Sequence, residues 1–522
     1  MYFIYLICEG YKLIKQNKRQ RKKLILQLLF LAVGNAMFFL TLWLLQKYDK
    51  VYLDQVLYQV KASTEGVYRS IAGSAYVYVC FFGGLGMLCD IFLYHILSGR
   101  LTKFLGKYKQ YINYCKGRIC DFFKKRGLML SVFVMIFGLA FFTINLDVWG
   151  YAEITSTESD FIEDNYADPE KVALSFPEEK RNLIYIFLES METTFAQPEA
   201  GGKITEDFIP ELSQLAKENV NFSNNEGLGG SLSLSGTTWT AAAMVSQTSG
   251  IPVKVKISAD AYGKDGEYLP GAVSLGEILR KQGYNQTLLI GSDADFHGRQ
   301  PYFSLHGGYN ILDTDSLKET GRLDPDYREW WGFEDEKLFD FAKEELLRLS
   351  KEDAPFNLTM LTADTHFPDG YKCRLCDDKH EEQYANVLSC SSKQVYEFIS
   401  WIKEQDFYEN TTIIICGDHL TMDAQFLDEI DEEYVRTTYN CIINPAAEAK
   451  NTRNRSFASI DMFPTTLAAI GVKIDGERLG LGTNLFSGEK TLCEQYGFET
   501  LDLELRKNSE FYNEKFLAMD VE

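Results

Sequence analysis

The chain has 522 residues, too many for one ordinary core, so at least two units are expected. Its net charge of −21 is unevenly spread: residues 1–127 hold 20 Lys/Arg against 6 Asp/Glu, so a basic front precedes an acidic remainder. That acidic bulk excludes the basic face needed to displace counterions from nucleic acid, and 11 cysteines in so long a chain exclude a miniature fold built on disulfides.

The first elements are membrane spans. Runs 24–46, 76–98 and 128–145 are long and apolar enough to cross a bilayer, within a membrane region placed at 1–150. Gln27, Asn35, Asp90 and His95 are the main polar exceptions, and helix packing or snorkelling accounts for the ionisable pair. Met1 to Cys8 is apolar but too short to cross. Lys12, Lys15, Lys18, Arg19, Arg21, Lys22 and Lys23 precede the first run, and nine Lys/Arg lie from Arg100 to Arg126. Both stretches are expected on the cytoplasmic side, which places everything after Trp149 outside.

Residues 151–180, polar and weakly periodic, read as a linker or surface helix. A compact domain is expected over 181–488, followed by a tail, 489–522, that covers or docks. Within the domain, apolar runs at Leu183–Leu188, Thr287–Ile290, Phe356–Leu361 and Thr412–Cys416 alternate with helix-like stretches near 273–282, 334–349 and 392–404. Such alternation predicts an α/β fold with a mainly parallel sheet covered on both faces. Ligands of such sheets gather at the carboxyl ends of the strands.

Glu189 directly follows the first run, and Asp418-His419 follow the last after a Gly that permits a tight turn. A helix cap explains one such acid, but the repeated pattern points to a metal site. Carboxylates with one imidazole suit a hard or borderline divalent ion, Mn²⁺ or Mg²⁺. The segment Gly236-Thr237-Thr238-Trp239-Thr240-Ala-Ala-Ala opens a helix, where a hydroxyl caps or, beside backbone N–H groups that face an anion, attacks phosphorus. The spacing does not choose among Thr237, Thr238 and Thr240. His297, His366 and His419, three of the chain's six histidines, sit just beyond strand ends, where substrate or catalytic roles are expected. Arg299 offers a fork for phosphate oxygens. Cys373-x-x-Cys376 with His380 and Cys390 fits a disulfide outside the membrane, with zinc as the rival.

These motifs together, Leu188-Glu-Ser-Met-Glu-Thr-Thr194, Gly236-Thr-Thr-Trp-Thr240, Asp364-Thr-His-Phe-Pro-Asp-Gly-Tyr371, Cys416-Gly-Asp-His419 and Ser459-Ile-Asp-Met-Phe-Pro-Thr465, make the chain similar over about 180–488 to one branch of the alkaline phosphatase and sulfatase superfamily. That branch is the lipoteichoic acid synthase and phosphoglycerol transferase family. The resemblance implies a sulfatase-like domain after transmembrane helices, with manganese held by Glu189, Asp418, His419 and a nucleophilic threonine. Counting back fifteen residues from Pro252, as the family's spacing suggests, selects Thr237. It further implies that His366 binds the phosphoglycerol. Phe296-His297-Gly298-Arg299 stands where the synthases carry Phe-Trp-Asn-Arg, which puts His297 and Arg299 against the substrate. Synthases of this family carry five membrane helices against three counted here, implying a shortened N-terminus or a different subfamily. The Cys or Ser with nearby Pro and Arg that a sulfatase converts to an aldehyde hydrate does not occur at 236–240.

The activity this resemblance implies is transfer of sn-glycerol-1-phosphate from phosphatidylglycerol, in the lipid bilayer, to a cell-envelope glycan or polyglycerolphosphate acceptor through a phospho-threonine. The catalytic domain would be extracytoplasmic in a multi-pass membrane protein. Two rivals stand beside it: a metal-dependent phosphodiesterase of the same superfamily, which gives the head group to water, and a lipid-sensing scaffold without catalysis.

Overall fold

Asn182–Leu188 alternates its side chains between two separate cores: Leu183, Tyr185 and Phe187 enter one, Ile184, Ile186 and Leu188 the other. A strand buried on both faces is the centre of a covered parallel sheet. This is strand β1 of the computed structural model, which describes residues 18–48, 53–61, 69–97, 118–256, 261–263, 267–423, 426, 430–431 and 433–518. Strands β2 (Asn285–Ile290), β3 (Asn310–Leu312), β4 (Phe356–Leu361), β5 (Thr411–Gly417) and β6 (Asn440–Ile443) complete a six-stranded sheet of order β3-β2-β4-β1-β5-β6. Every pairing is parallel except β5 with β6. The four expected runs all lie in strands; the two short edge strands, β3 and β6, were not anticipated.

Register decides what the carboxyl edge presents. Leu188 pairs with Gly417 and Phe187 with Leu361, so Glu189, Asp418 and the segment from Thr362 leave the sheet side by side. Gly417 is still within β5 and does not turn, contrary to expectation. A Cβ there would lie 1.9 Å from the Met191 carbonyl, so glycine is required by close approach of the neighbouring chain.

The chain divides into two compact units. In the first lie α1 (Lys18–Lys47), a helical stretch 69–97 with a π-helical segment at Val77–Phe82, and Arg118–Asn145. Three spans, Lys22–Lys47, Gly73–Phe92 and Arg126–Asn145, are long and apolar enough to cross a membrane. The first and third match expectation closely; the second begins three residues before the expected start and stops short of its end. Gly34 and Gly138 let α1 and the third span touch backbone to backbone, since a Cβ on Gly138 would lie 2.0 Å from the Gly34 carbonyl. Asp90 accepts a 2.8 Å hydrogen bond from the Asn35 amide, the packing partner an intramembrane carboxyl needs. Met1 to Cys8, Lys12, Lys15, much of the Arg100–Arg126 stretch and the His95 side chain lie outside the described residues.

The second unit comprises 52–68 and 151–522, wider than the expected 181–488. The stretch expected as a linker folds onto the domain: Ile162 is buried, and Leu174–Ser175 pairs antiparallel with Lys473–Ile474. The tail is integral too, with Tyr512 and Phe516 fully buried in the same core. Sparse apolar residues in polar surroundings suffice because the sheet's helical cover supplies the rest of the core. A short helix between the first two spans, α2 (Leu53–Lys61), also belongs to this unit. Around the sheet lie α3 (Thr240–Ser249), α4 (Asp335–Leu349) and α5 (Gln383–Lys403). The last begins nine residues before the expected 392.

Candidate active site

Glu189, Asp418 and His419 come together at the carboxyl edge, with one ligand atom of each within 4.8 Å of the others, all three buried. His419 Nε2 lies 3.4 Å from Glu189 Oε1 and 3.5 Å from Asp418 Oδ2. Its Nδ1–H donates to the Leu420 carbonyl at 2.8 Å, which fixes the ring and leaves Nε2 facing the carboxylates, as a metal-binding imidazole requires. Asp418 Oδ1 accepts from the backbone N–H groups of Ser190 and His419 at 2.8 and 2.7 Å. Asp418 Oδ2 is buried with no hydrogen-bond partner. An orphaned carboxylate oxygen beside a second buried carboxylate and an imidazole fits a divalent cation.

The electrostatics of the metal-free cluster agree. Burial, with the Glu189 charge, pushes the Asp418 carboxyl up to about 7 against the pull of His419. Burial works against charge on Glu189 too, but His366 and His419 with the Ser190 hydroxyl outweigh it and hold this carboxyl at about 2. For His419 burial works downward, yet Asp418 and Glu189 raise it to about 10.

The hydroxyl at this cluster is that of Thr240. Its Oγ1 lies 3.3 Å from Glu189 Oε2 and 3.4 Å from His419 Nε2. Thr237, selected by counting from Pro252, instead donates to the Leu234 carbonyl at 2.8 Å and is buried there. Thr238 Oγ1 accepts a 2.6 Å bond from the Gln55 amide. The difference follows from where α3 starts: Thr240 is its first residue, after Trp239 in extended conformation, and no side chain caps it. The uncapped end leaves its first backbone N–H groups for an anion.

A cleft of about 380 Å³, partly open to solvent, adjoins the cluster and is lined by Glu189, Thr240, His297, Arg299, Trp331 and His366 among others. All three residues expected at the substrate therefore line it. His366 Nδ1–H donates to the Phe367 carbonyl at 2.6 Å, leaving Nε2 for the cleft, and burial lowers its pKa below the ordinary histidine value despite the Glu189 carboxylate. His297 is neutral, pushed down to about 3 by burial and then by Arg299 and His366. Arg299 is buried and much of its fork is already engaged: Nε with the Phe296 carbonyl at 3.0 Å, Nη2 with Ser292 Oγ at 3.1 Å and the Asp293 carbonyl at 2.7 Å. It brings positive charge to the cleft wall and shapes the loop, where the sequence suggested a free two-pronged grip.

Sequence reasoning missed four supports. Gln59 Oε1, on α2, accepts from His297 Nε2 at 2.8 Å. Tyr58, also on α2, donates to the His297 carbonyl at 2.6 Å and packs on Trp239 with ring centroids 5.0 Å apart. Asp335 and Asp364 interlock: Asp335 accepts from the Ala363 and Asp364 N–H groups at 2.7 and 3.3 Å, and Asp364 from the Asp335 N–H at 3.2 Å. This clamp fixes the loop that carries His366. Glu192, fully buried, accepts from Arg436 at 2.7 Å and from the Thr421 N–H at 3.1 Å, holding the chain just after His419.

A family model described as Sulfatase matches residues 181–472. Phosphoglycerol transferase I of Salmonella choleraesuis (strain SC-B67) is 31% identical over 334 residues, 62% of this chain and 41% of that protein. Phosphoglycerol transferase I of Citrobacter koseri is 34% identical over 263 residues, 49% of this chain and 33% of that protein. The chain spans less than half the length of these relatives. Among solved structures, the lipoteichoic acid synthase LtaP from Listeria monocytogenes is similar at a TM-score of 0.47 and 19% identity, covering 63% of this chain and 81% of that one.

Proposed function

The chain belongs to the sulfatase family, and we propose that within it the protein is a membrane-held, metal-dependent phosphoglycerol transferase with Thr240 as nucleophile. The observation that carries this reading is the Thr240 hydroxyl against Glu189 and His419 at the uncapped start of α3. Kinship with phosphoglycerol transferase I supports the substrate class. The donor is phosphatidylglycerol, and the acceptor is a hydroxyl of a cell-envelope glycan or polyglycerolphosphate.

Glu189, Asp418, His419 and Thr240 would hold one divalent cation, Mn²⁺ or Mg²⁺, which when bound supplies Lewis acidity to the hydroxyl and phosphoryl oxygens. Thr240 Oγ attacks phosphorus while its proton passes to the diacylglycerol oxygen whose bond to phosphorus breaks, so neutral diacylglycerol leaves and glycerol phosphate is esterified to Thr240. The first N–H groups of α3 and the positive charge of Arg299 receive the phosphoryl oxygens. His366, neutral and with Nε2 open to the cleft, takes the proton of the acceptor alcohol as that oxygen displaces Thr240 and returns it to Thr240 Oγ. A lipid donor accounts for the spans. That 53–61 packs in one core with the catalytic unit supports a reading in which both lie on one side of the membrane, and the basic stretches favour the exterior as that side.

Incubation of the purified protein with fluorescent phosphatidylglycerol and Mn²⁺ tests the reading. Diacylglycerol release is expected, with the head group moving to an added glycan or glycerol-phosphate acceptor. Thr240→Ala should lower the rate at least about 10³-fold, while Thr237→Ala retains activity. Inactivation by Thr237→Ala alone, in a folded protein, would reject Thr240. Free glycerol phosphate as the sole product, with every acceptor offered, would favour the phosphodiesterase.

A further inference from the structure

Away from the Glu189 cluster, three cysteines converge: Cys373 and Cys376 from the loop after His366, and Cys390 from α5. Cys373 Sγ lies 3.6 Å from Cys376 Sγ and 3.7 Å from Cys390 Sγ, and all three sulfurs fall within 4.8 Å of one another. None is joined to another. Four thiolates at the zinc–sulfur bond length of about 2.3 Å stand about 3.8 Å apart at the corners of a tetrahedron, which is the spacing seen here. A disulfide would use two of the sulfurs and give no reason for the third.

The surroundings suit thiolates. The Cys376 N–H donates to the Cys373 carbonyl at 3.2 Å, closing a turn that brings both loop sulfurs together. Backbone N–H groups of Leu375 and Cys376 also turn toward the Cys373 sulfur. The Gln394 amide, one turn after Cys390 on α5, donates to Cys390 Sγ at 3.4 Å and reaches Cys373 Sγ at 3.9 Å. Amide N–H groups bonded to sulfur are what orients and stabilises thiolate ligands. His380, the other ligand the sequence spacing offered, turns elsewhere: Nε2 bonds Ser389 Oγ at 3.1 Å, and Nδ1 lies 3.1 Å from Glu206 Oε1 without hydrogen-bond geometry.

We propose that Cys373, Cys376 and Cys390 form a structural site for a thiophilic divalent cation of zinc's class, with water as fourth ligand, that fastens the His366-bearing loop to α5. Binding exchanges three thiol protons for the cation, with no change in oxidation state. The same loop is tied to α5 by Tyr384, which donates to the Thr365 carbonyl at 2.9 Å, and by Gln383, whose amide donates to the Gly370 carbonyl at 3.0 Å. A cation at the far end of the loop would complete that attachment, seven residues beyond His366.

The test uses the full chain, purified in detergent without chelator, and is independent of transferase activity. Zinc is measured by elemental mass spectrometry, then thiols are titrated with an organomercurial while released zinc is followed with a chromogenic chelator. About one zinc per chain should be released in step with modification of Cys373, Cys376 and Cys390, and Cys390→Ser should lack that equivalent. Mercuration separates this zinc from any held by Glu189, Asp418 and His419, and it needs no variant to fold. Recovery of two of the three cysteines as a disulfide-linked peptide from unreduced protein overturns the site. So does full modification of all three thiols with no zinc released.

Discussion

At the scale of single residues, the site is governed by competition between protons and a cation for the same oxygens and nitrogen. In the metal-free cluster Asp418 titrates near 7 and His419 near 10, so a cation binding at neutral pH displaces the His419 proton, and below pH 7 the Asp418 proton as well. Each displaced proton costs about tenfold in affinity per pH unit. Mn²⁺ affinity should therefore rise about tenfold per unit between pH 7 and 9 and fall more steeply below 7. Titration calorimetry or the paramagnetic resonance signal of free Mn²⁺ reads this directly, and an affinity flat across that range would mean these groups do not ligate it. The acid and imidazole were legible in the sequence because each ends an apolar strand run, and parallel register leaves such residues few places to go. The proposed nucleophile was not. Thr237, Thr238 and Thr240 all satisfy the rules for a helix N-terminus. The choice is made by tertiary packing, which starts α3 after Trp239, a residue no capping rule would select.

Among the elements, α2 is the one whose role the sequence concealed. Nine residues between two apolar spans look like a connection, and nothing in Leu53–Lys61 names the surface it meets. In the structure Tyr58 is fully buried, its hydroxyl 2.7 Å from that of Tyr268 and 2.6 Å from the His297 carbonyl, with Trp239 against its ring. Gln55 reaches Thr238. The helix thus braces both the residue before Thr240 and the loop that presents His297. Tyr58→Phe keeps the ring but leaves buried partners unsatisfied, a loss of about 1–3 kcal/mol, whereas Gln59→Ala, which removes one bond whose Gln59 end is exposed, should cost less. Thermal unfolding of the two variants in detergent distinguishes them, and equal stabilities would show that α2 is not docked in solution. The long strands were readable because they are buried on both faces and so spell uninterrupted apolar runs. The edge strands β3 and β6, at three and four residues, are too short to carry a pattern.

For the whole molecule, fold and charge together support the proposed topology. Residues within 53–61 and 151–518 share a core, which in that topology keeps both on one side of the membrane. The distribution of charge says which side is which: Lys and Arg crowd the N-terminus and the Arg100–Arg126 stretch, while the folded bulk is acidic. Basic residues flanking spans are retained in the cytoplasm, and long acidic domains cross with little resistance. A green fluorescent protein fused after Lys109 should fluoresce, since it folds in the cytoplasm, and the same reporter fused after Glu522 should be dark when exported through the general secretory route. Alkaline phosphatase fusions at the two positions should give the reverse pattern. Fluorescence from the C-terminal fusion would place the Thr240 cluster on the cytoplasmic face, where cell-envelope acceptors are absent, and would remove the reason for an external acceptor while leaving the metal site itself intact.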